Sequence, residues 1–517
     1  MMNAVRKAGR AAIVCVVMLS AAAVGRADPK PPSEGSWTLL SQLAPDFTGT
    51  MLLLTDGTVM VQGYDPGDNW MRLTPDATGS YVNGTWSNLA PMSIPRLYFA
   101  SHVLPSGEVW VLGGEYIGNP LIATWSNTGE LYDPVANSWS PIAHHPEESF
   151  GDDPSMLLSN GKILAGSLFS RNSYLYDIAT NTWSSAVAKV YDDRSDEESW
   201  VKLPDGSVLT YDLFNSVATG GSYAERYIPA TNTWSSVSPS DSTAGGFIPQ
   251  LSSDAIGFEL GPLVRLQDGR IFAIGATGQT ALYAPSTNTW AAGPDIIGSL
   301  GGNPAVFGAD DAPAAVLPSG HVLFTADAGP TLGVFSNPTA VFDFDPNANT
   351  IAPIAVPTSD LDFVAAFVTR MLVLPTGQVL LSDSGRQLLL YTPAGAPPQR
   401  LRPRIEGMKY NGGGLFTLSG QQLNGQNAGS SYGDDVETDE NYPIVSLADK
   451  DGNVFYARTT NWSITEVATK TFRETVDFTL PAALVNPGVY KVTVSGAGIP
   501  SVTAVALHVT ADEIGGK

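Results

Sequence analysis

A short hairpin motif recurs along most of this chain and constrains its fold more than any other feature. Each copy has an apolar strand, a turn that ends in glycine, and a second apolar strand. Asp-Gly and Asn-Gly turns favour tight hairpins because glycine readily adopts the positive φ that such turns need. From the first turn glycine to the last there are 320 residues in six intervals, so one repeat takes about 53 residues. The seven turn glycines are Gly57, Gly107, Gly161, Gly206, Gly269, Gly320 and Gly377.

A second hairpin follows the first one in most repeats. It runs from a strand with tyrosine, through a turn with asparagine, to a strand with tryptophan, as between Tyr132 and Trp139 or between Tyr283 and Trp290. Two hairpins make a four-stranded antiparallel sheet, and seven such sheets in a row predict a seven-bladed β-propeller. We expect the tyrosine and tryptophan side chains to pack between neighbouring blades.

The seventh repeat ends at Tyr391 without the tryptophan strand of the other repeats. The segment Ser-Trp-Thr-Leu-Leu at residues 36–40 precedes the first repeat and has no other partner. We expect the strand around Trp37 to complete the seventh blade, because this exchange closes the ring and removes its open edge. The propeller is therefore predicted to span residues 36–400.

A different pattern begins after Ile405, where the repeat stops. Apolar residues alternate with polar ones at 415–418, 444–447 and 489–494, which is typical of half-buried strands. These segments predict a separate C-terminal β-sandwich of the immunoglobulin-like type over residues 401–511. The whole chain is therefore predicted to be all-β.

The repeats resemble the kelch family in the glycine pair Gly113-Gly114, the Tyr-Asp-Pro segment at 132–134 and the Asn-Thr-Trp segment at 181–183. The tail is similar to the C-terminal domain of galactose oxidase and its secreted relatives at 441–444, Asn-Tyr-Pro-Ile, and at 487–490, Pro-Gly-Val-Tyr. Together these resemblances imply the architecture of galactose oxidase and glyoxal oxidase. In that family a cysteine crosslinked to a tyrosine, a second tyrosine and two histidines form a radical-copper site.

The radical-copper ligands of that family have no counterpart at the matching positions. Cys15 is the single cysteine, and it lies in an N-terminal segment that we expect to be removed. The segment Phe-Val-Thr-Arg at 367–370 stands where the family has adjacent tyrosine and histidine, and the expected finger at 431–439 has no histidine. Copper and radical-copper oxidase activity are therefore not expected. An oxidase with a different site ranks third, below a recognition protein and a carbohydrate-active enzyme.

The N-terminus has the pattern of a cleaved export signal at residues 1–27. Basic residues precede the apolar run 11–24, and small residues follow it at 25–27. This run is too short to span a bilayer comfortably, so no membrane span is expected and the mature chain is predicted to be secreted or periplasmic. With 50 acidic and 27 basic residues, the net charge of −23 argues against a nucleic-acid partner. We expect a monomer.

Acidic residues recur just before the first strand of the third to sixth repeats, roughly 8 to 10 residues ahead of the turn glycine. Because a strand rises about 3.3 Å per residue, this spacing places them at one end of the channel. That end carries the long loops, where binding sites are common. Arginines and aromatic side chains are expected nearby, the latter to stack on sugar rings. The candidate ligand-binding residues are Arg96, Tyr98, Trp125, Asp152, Asp153, Glu197, Glu198, Trp200, Glu259, Asp310, Asp311, Arg370, Asp434 and Asp435.

Two classes of function stay open from the sequence. The first is a secreted recognition protein that binds glycan, another extracellular polymer or a protein. The second is a carbohydrate-active enzyme, a hydrolase, lyase or epimerase, with Asp153 and Glu198 as its candidate catalytic residues. A cluster of carboxylates without histidine also suits calcium, with Asp153, Glu198, Asp311 and Asp435 as candidate ligands. The alternative is that these groups only satisfy hydrogen bonds in a polar channel.

Overall fold

A computed structural model of the protein describes residues 35–191, 193–427, 442–465, 467 and 472–515, together with the backbone of Ser431–Tyr432. The expected export signal lies outside these residues, and so do Asp434 and Asp435. Within the described ranges nearly all regular structure is β-strand, which confirms the all-β prediction.

Seven sheets, each with a set of four antiparallel strands, follow one another along the chain, and two of them gain a short fifth strand. We number the sheets in order of their first strands. Sheet 1 contains Thr48–Leu53, Val59–Gly63, Trp70–Thr74 and Thr85–Leu89; sheet 2 contains Ala100–Val103, Val109–Leu112, Gly129–Asp133 and Ser138–Pro141; sheet 3 contains Ser155–Leu157, Lys162–Ala165, Tyr174–Asp177 and Thr182–Ser185. Sheet 4 contains Ser199–Lys202, Val208–Asp212, Tyr223–Ile228 and Thr233–Ser236; sheet 5 contains Leu263–Arg265, Ile271–Ile274, Thr280–Ala284 and Thr289–Ala292. Sheet 6 contains Ala314–Val316, Val322–Asp327, Thr339–Asp345 and Thr350–Ile354; sheet 7 contains Arg370–Val373, Val379–Ser382, Leu389–Thr392 and Ser36–Leu39.

The first strands of these sheets lie side by side. Those of sheets 2 to 7 contact one another in sequence order, and Thr48–Leu53 of sheet 1 contacts Arg370–Val373 of sheet 7. This arrangement is consistent with a β-propeller, in which the first strands surround a central channel. Sheet 7 takes its fourth strand from the other end of the chain, with Trp37 opposite Tyr391 and their rings 4.8 Å apart.

A hydrogen-bonded motif of tyrosine, asparagine and tryptophan repeats in sheets 2 to 5. In sheet 2, Tyr132 donates its hydroxyl to Asn137 Oδ1 at 2.8 Å, and Asn137 holds a φ of 51° in the turn. The indole of Trp139 donates to the carbonyl of Ala90, which belongs to the chain leaving sheet 1. Asparagine tolerates positive φ better than most residues, so it both forms the turn and fixes the tyrosine.

Shorter elements fill the connections between the sheets. The additional strands are Arg96–Leu97, Tyr116–Ile117 and Ile122–Ala123 in one small sheet, Ile297–Leu300 and Asn303–Val306 in a hairpin, and Gly245–Gly246 beside sheet 5. The helices are Leu213–Thr219, Gly329–Leu332 and Ala511–Gly515, with 3-10 turns at Asp254–Ile256, Asp360–Phe363, Ala366–Val368 and Gln399–Leu401. In the described part of the chain, the helices are all much shorter than a bilayer is thick.

The tail forms a hydrogen-bonded β-structure with one strand shared between two sets of partners. Val454–Thr460 pairs with Ile444–Ala448 through its first half and with Glu474–Thr479 through its second half. Both sets contribute side chains to one buried core. The strands of the tail are Arg404–Gly412, Leu415–Gln421, Ile444–Ala448, Val454–Thr460, Glu474–Thr479, Gly488–Gly496, Ile499–Pro500 and Val505–Val509.

The tail packs against the ends of the sheets that carry the glycine turns. The amide of Thr459 donates to Thr55 O at 3.1 Å, and Ser495 Oγ donates to Pro375 O at 2.9 Å. A Cβ atom added at Gly57 would lie 2.6 Å from the ring of Tyr456, so this glycine permits the close approach. The short strand Ser431–Tyr432 of the tail reaches further and pairs with the first strand of sheet 4.

One buried histidine gives the fold a measurable pH dependence. His145 is packed between the rings of Phe150, Tyr174 and Trp183, and burial lowers its pKa to about 4, while Glu147, the charged group that faces it, opposes the shift. The unfolded chain protonates this histidine near pH 6.5. Its contribution to stability is therefore complete above that pH and is lost as the pH falls toward 4.

We predict that His145→Phe removes this dependence, because phenylalanine stays neutral in the same aromatic environment. Between about pH 7.5 and about pH 5, the free energy of unfolding of the wild type should fall by about 2 kcal/mol more than that of the variant. Urea unfolding at the two pH values measures both changes. Equal pH dependence in the two proteins would contradict the assignment.

Candidate functional site

The residues that precede the first strands adopt an uncommon backbone conformation. Tyr98, Asp152, Glu197 and Asp311 each lie nine residues before their turn glycine, and their φ angles lie between 53° and 60°. Such angles are rare in non-glycine residues and occur preferentially at functional sites. Glu197 N donates to Asp152 O at 2.9 Å, so this conformation links neighbouring sheets. We call this end of the ring, at the residues just before the first strands, the mouth.

Five carboxylates converge at the mouth in two groups that share one residue. In the first carboxylate group, Asp152, Asp196 and Glu197 each have an oxygen within 4.8 Å of the others. In the second carboxylate group, the same holds for Glu197, Glu259 and Asp311. Four of the five side chains are buried, and Glu197 is half-buried. The structure thus brings together four residues predicted from the sequence, and it adds Asp196.

Neighbouring side chains orient the first carboxylate group. The indole of Trp125 donates to Asp152 Oδ2 at 3.0 Å, and its ring meets that of Phe169 edge to face at 5.5 Å. Phe169 is 59% exposed, so an aromatic surface borders the carboxylates. On the other side, Arg194 lies 3.5 Å from Asp196 and covers the ring of Phe214.

Asp153 lies behind the mouth rather than in it. Its side chain is fully buried, and burial raises its pKa well above the usual range, with Asp196 and Asp152 adding to the shift. Asp153 Oδ2 accepts a long hydrogen bond of 3.4 Å from Gly151 N. Among the described residues, no donor lies within hydrogen-bond distance of Oδ1.

Glu198 belongs to a buried ion cluster instead of the predicted calcium site. Lys189 Nζ lies 2.5 Å from Glu198 Oε1, 3.4 Å from Asp212 and 3.9 Å from Glu225, and all four side chains are fully buried. Burial alone would lower the pKa of Lys189, but the three carboxylates raise it, so the lysine stays charged. Because Glu198 follows Glu197 directly, the cluster fixes the segment that presents Glu197 at the mouth.

Asp310 also faces away from its neighbour Asp311 and makes a structural contact. Its Oδ2 accepts a 2.9 Å hydrogen bond from Phe335 N, and it lies beside Asp327, which accepts hydrogen bonds from Gly329 N and Ala366 N. Burial and the charge of Asp310 raise the pKa of Asp327 to about 8. The two aspartates thus hold the connections around sheet 6 through their hydrogen bonds to backbone amides.

Three further candidates have structural contacts. Arg96 is fully buried and pairs with Glu130 at 3.2 Å, and Arg370 donates to Phe367 O and Thr369 O. The prediction that Trp200 stacks on sugar is wrong, because its ring is fully buried between sheets. Trp200 packs against Trp234 at 5.5 Å and donates to Glu198 Oε2 at 3.0 Å.

The other part of the mouth is aromatic. Tyr98 is nearly buried, its hydroxyl lies 2.9 Å from that of Tyr64, and its ring is 6.3 Å from Phe367. Phe367 in turn lies 4.8 Å from Phe335, whose ring is partly exposed. Sequence reasoning missed these phenylalanines and Phe169, because apolar residues in long loops do not differ by type from core residues. The predicted residues Asp434 and Asp435 lie outside the described residues.

The donor atoms of the two groups suit a hard cation and do not suit copper. Oxygen ligands favour calcium or magnesium, whereas protein copper sites rely on imidazole and sulfur ligands. In the described ranges, both groups with metal-binding spacing consist of carboxylates alone. Three of the described histidines have other contacts: His102 contacts Ser155, His145 packs among aromatic rings, and His321 pairs with Asp343.

Comparison with known proteins gives short or distant similarities. No family model matches the chain. A 62-residue segment is 37% identical to an F-box/kelch-repeat protein of Arabidopsis thaliana and spans 12% of this chain and 17% of that protein. This segment agrees with a kelch-type repeat.

The solved structures similar to this chain include two distant ones. One is a fungal alcohol oxidase of the AA5 family in complex with copper. It is 17% identical, the match covers 90% of this chain and 85% of the oxidase, and the TM-score is 0.36. The other is YjhT, which is 13% identical. The match covers 61% of this chain and 99% of YjhT, and the TM-score is 0.42. At these TM-scores, neither structure carries a conclusion about the chemistry of this chain.

We predict that Lys189→Met lowers the free energy of unfolding strongly, because it leaves three buried carboxylates without their ammonium group. Removing one partner of a buried ion pair costs about 3–5 kcal/mol. The matched control is Lys162→Met, which breaks a half-exposed pair with Asp177 and should cost less than about 1 kcal/mol. Urea unfolding measures the free energy of unfolding of both variants. A loss for Lys189→Met as small as that of the control would show that the buried cluster is not structurally important.

Proposed function

We propose that this chain is an exported recognition protein that binds glycan through the mouth. In this proposal the seven sheets are the blades of a kelch-type propeller, and the tail is an immunoglobulin-like domain that supports it. The pattern of the expected export signal at residues 1–27 supports a location outside the cytoplasm.

The observation that carries the proposal is the combination of carboxylates and aromatic rings at one end of the ring. Carboxylate oxygens accept hydrogen bonds from sugar hydroxyls, and aromatic faces cover the apolar faces of sugar rings. Trp125 donates to Asp152 and packs against Phe169, so both kinds of contact are available within one surface.

The contacts of the tail support the mouth, rather than the turn end, as the binding surface. The described contacts of the tail with the sheets include Thr55, Pro105 and Pro375, which lie near the glycine turns. The mouth lies at the opposite ends of the first strands. Most of these contacts lie at the turn end, and the tail strand Ser431–Tyr432 also pairs with Ser199 and Trp200, beside the mouth.

Recognition fits the burial of the candidate catalytic residues better than catalysis does. A catalytic acid or base must come within hydrogen-bond reach of the substrate. Asp153 and Glu198 are fully buried, and Glu198 is bonded to Lys189. A carbohydrate-active enzyme would have to use the half-buried Glu197 instead, and turnover of a bound glycan is the result that would favour that alternative.

We predict that the purified mature chain binds members of an immobilised glycan array, and that Phe169→Ala weakens this binding. Loss of one aromatic contact should reduce affinity about three- to tenfold. The control is Phe472→Ala, which removes a phenylalanine of similar exposure from the tail and should leave affinity unchanged. If the wild-type protein binds no glycan on the array, or if both variants behave alike, the proposal is wrong.

A further inference from the structure

We propose that the first carboxylate group is a calcium-binding site, formed by Asp152, Asp196 and Glu197. The inference deepens the proposed function, since the ion would lie in the glycan-binding mouth, where it could also coordinate sugar hydroxyls. It does not require a glycan for its test, because binding of the metal alone is measured.

The spacing of the three oxygens matches one ion. Calcium binds oxygen ligands at about 2.3–2.6 Å, so two ligands of the same ion lie at most about 5 Å apart. One oxygen from each of Asp152, Asp196 and Glu197 lies within 4.8 Å of the other two. Asp152 and Asp196 are buried and Glu197 is half-buried, so a bound ion would be shielded by the protein but reachable from the mouth.

Asp153 provides a second and independent observation. It is fully buried, and its Oδ1 atom has no hydrogen-bond donor within reach among the described residues. It directly follows the proposed ligand Asp152 in the chain, and Asp196 and Asp152 are the charged groups that act on it most strongly. A buried oxygen without a donor is unfavourable by about 1–3 kcal/mol, and a cation in the adjacent group offsets this.

The ligands are also held in place before an ion binds. Trp125 fixes the carboxylate of Asp152, Arg194 contacts Asp196, and the hydrogen bond from Glu197 N to Asp152 O ties the two segments together. Outer contacts of this kind orient metal ligands, and their removal commonly reduces affinity about 10- to 100-fold. Oxygen ligands at positions fixed by separate loops suit calcium, because its coordination geometry is flexible, whereas magnesium requires a near-ideal octahedron.

The test is equilibrium dialysis of the purified mature chain, freed of metal by chelator, against calcium chloride alone. We expect one calcium ion to bind. Asp152→Asn should weaken binding at least about 10-fold, since it removes a direct ligand. Asp311→Asn is the matched control, because it removes a carboxylate from the second group only and should change affinity less than about threefold.

Two results would overturn the proposal. One is a folded wild-type protein, shown by circular dichroism, that takes up no calcium at millimolar concentration. The other is a calcium affinity that depends on Asp311 and not on Asp152, which would move the ion to the second carboxylate group. If calcium binds as expected and the glycan array stays negative, the ion site stands and the glycan function fails.

Discussion

Closure of the ring by the two ends of the repeat region is the constraint on which the rest of the structure depends. Ser36–Leu39 pairs with Leu389–Thr392 through four residue pairs, so the first strand of the described chain completes the last sheet. Without this strand, sheet 7 would keep an open edge with unpaired backbone groups. The same segment leads into Thr48–Leu53, whose contact with Arg370–Val373 joins sheet 1 to sheet 7.

The arrangement of the sheets brings one position of each repeat to a common end. Each repeat presents its ninth residue before the turn glycine at the same end of the ring, and in four repeats that residue is a tyrosine or a carboxylate with positive φ. The sheets themselves are alike, so the difference between repeats lies in the loops that enter the first strands. Rigid sheets with variable loops are the usual way in which propellers carry function.

The sequence alone predicts the sheets better than it predicts the site. The register of the turn glycines correctly indicates that acidic residues gather at the mouth. It does not distinguish the members of each adjacent acidic pair, because that depends on backbone angles. Positive φ directs Asp152 into the mouth and leaves Asp153 behind it, and Glu197 and Glu198 separate in the same way.

The same limit applies to the partners of each acidic side chain. Lys189 neutralises Glu198 from a loop nine residues earlier, and no spacing rule identifies such a pair. Trp200 looks like a surface aromatic in the sequence because Ser199 and three acidic residues precede it, yet it is buried in a core shared with sheet 3. Long-range packing determines both outcomes.

Buried carboxylates must be stabilised by an opposite charge, by donors or by a proton, and this protein uses different means at different depths. The ammonium of Lys189 balances Glu198, Asp212 and Glu225, and beside sheet 6 burial and the charge of Asp310 raise the pKa of Asp327 to about 8, which favours its protonated form. In both clusters the charges are balanced within the protein, so these carboxylates do not need a ligand. The carboxylates of the mouth differ because they lie at the end of the channel, where an ion or a sugar can arrive from solvent. Under the proposed function, the acidity of this end serves recognition rather than folding, and the two inner clusters hold the segments that carry the mouth residues.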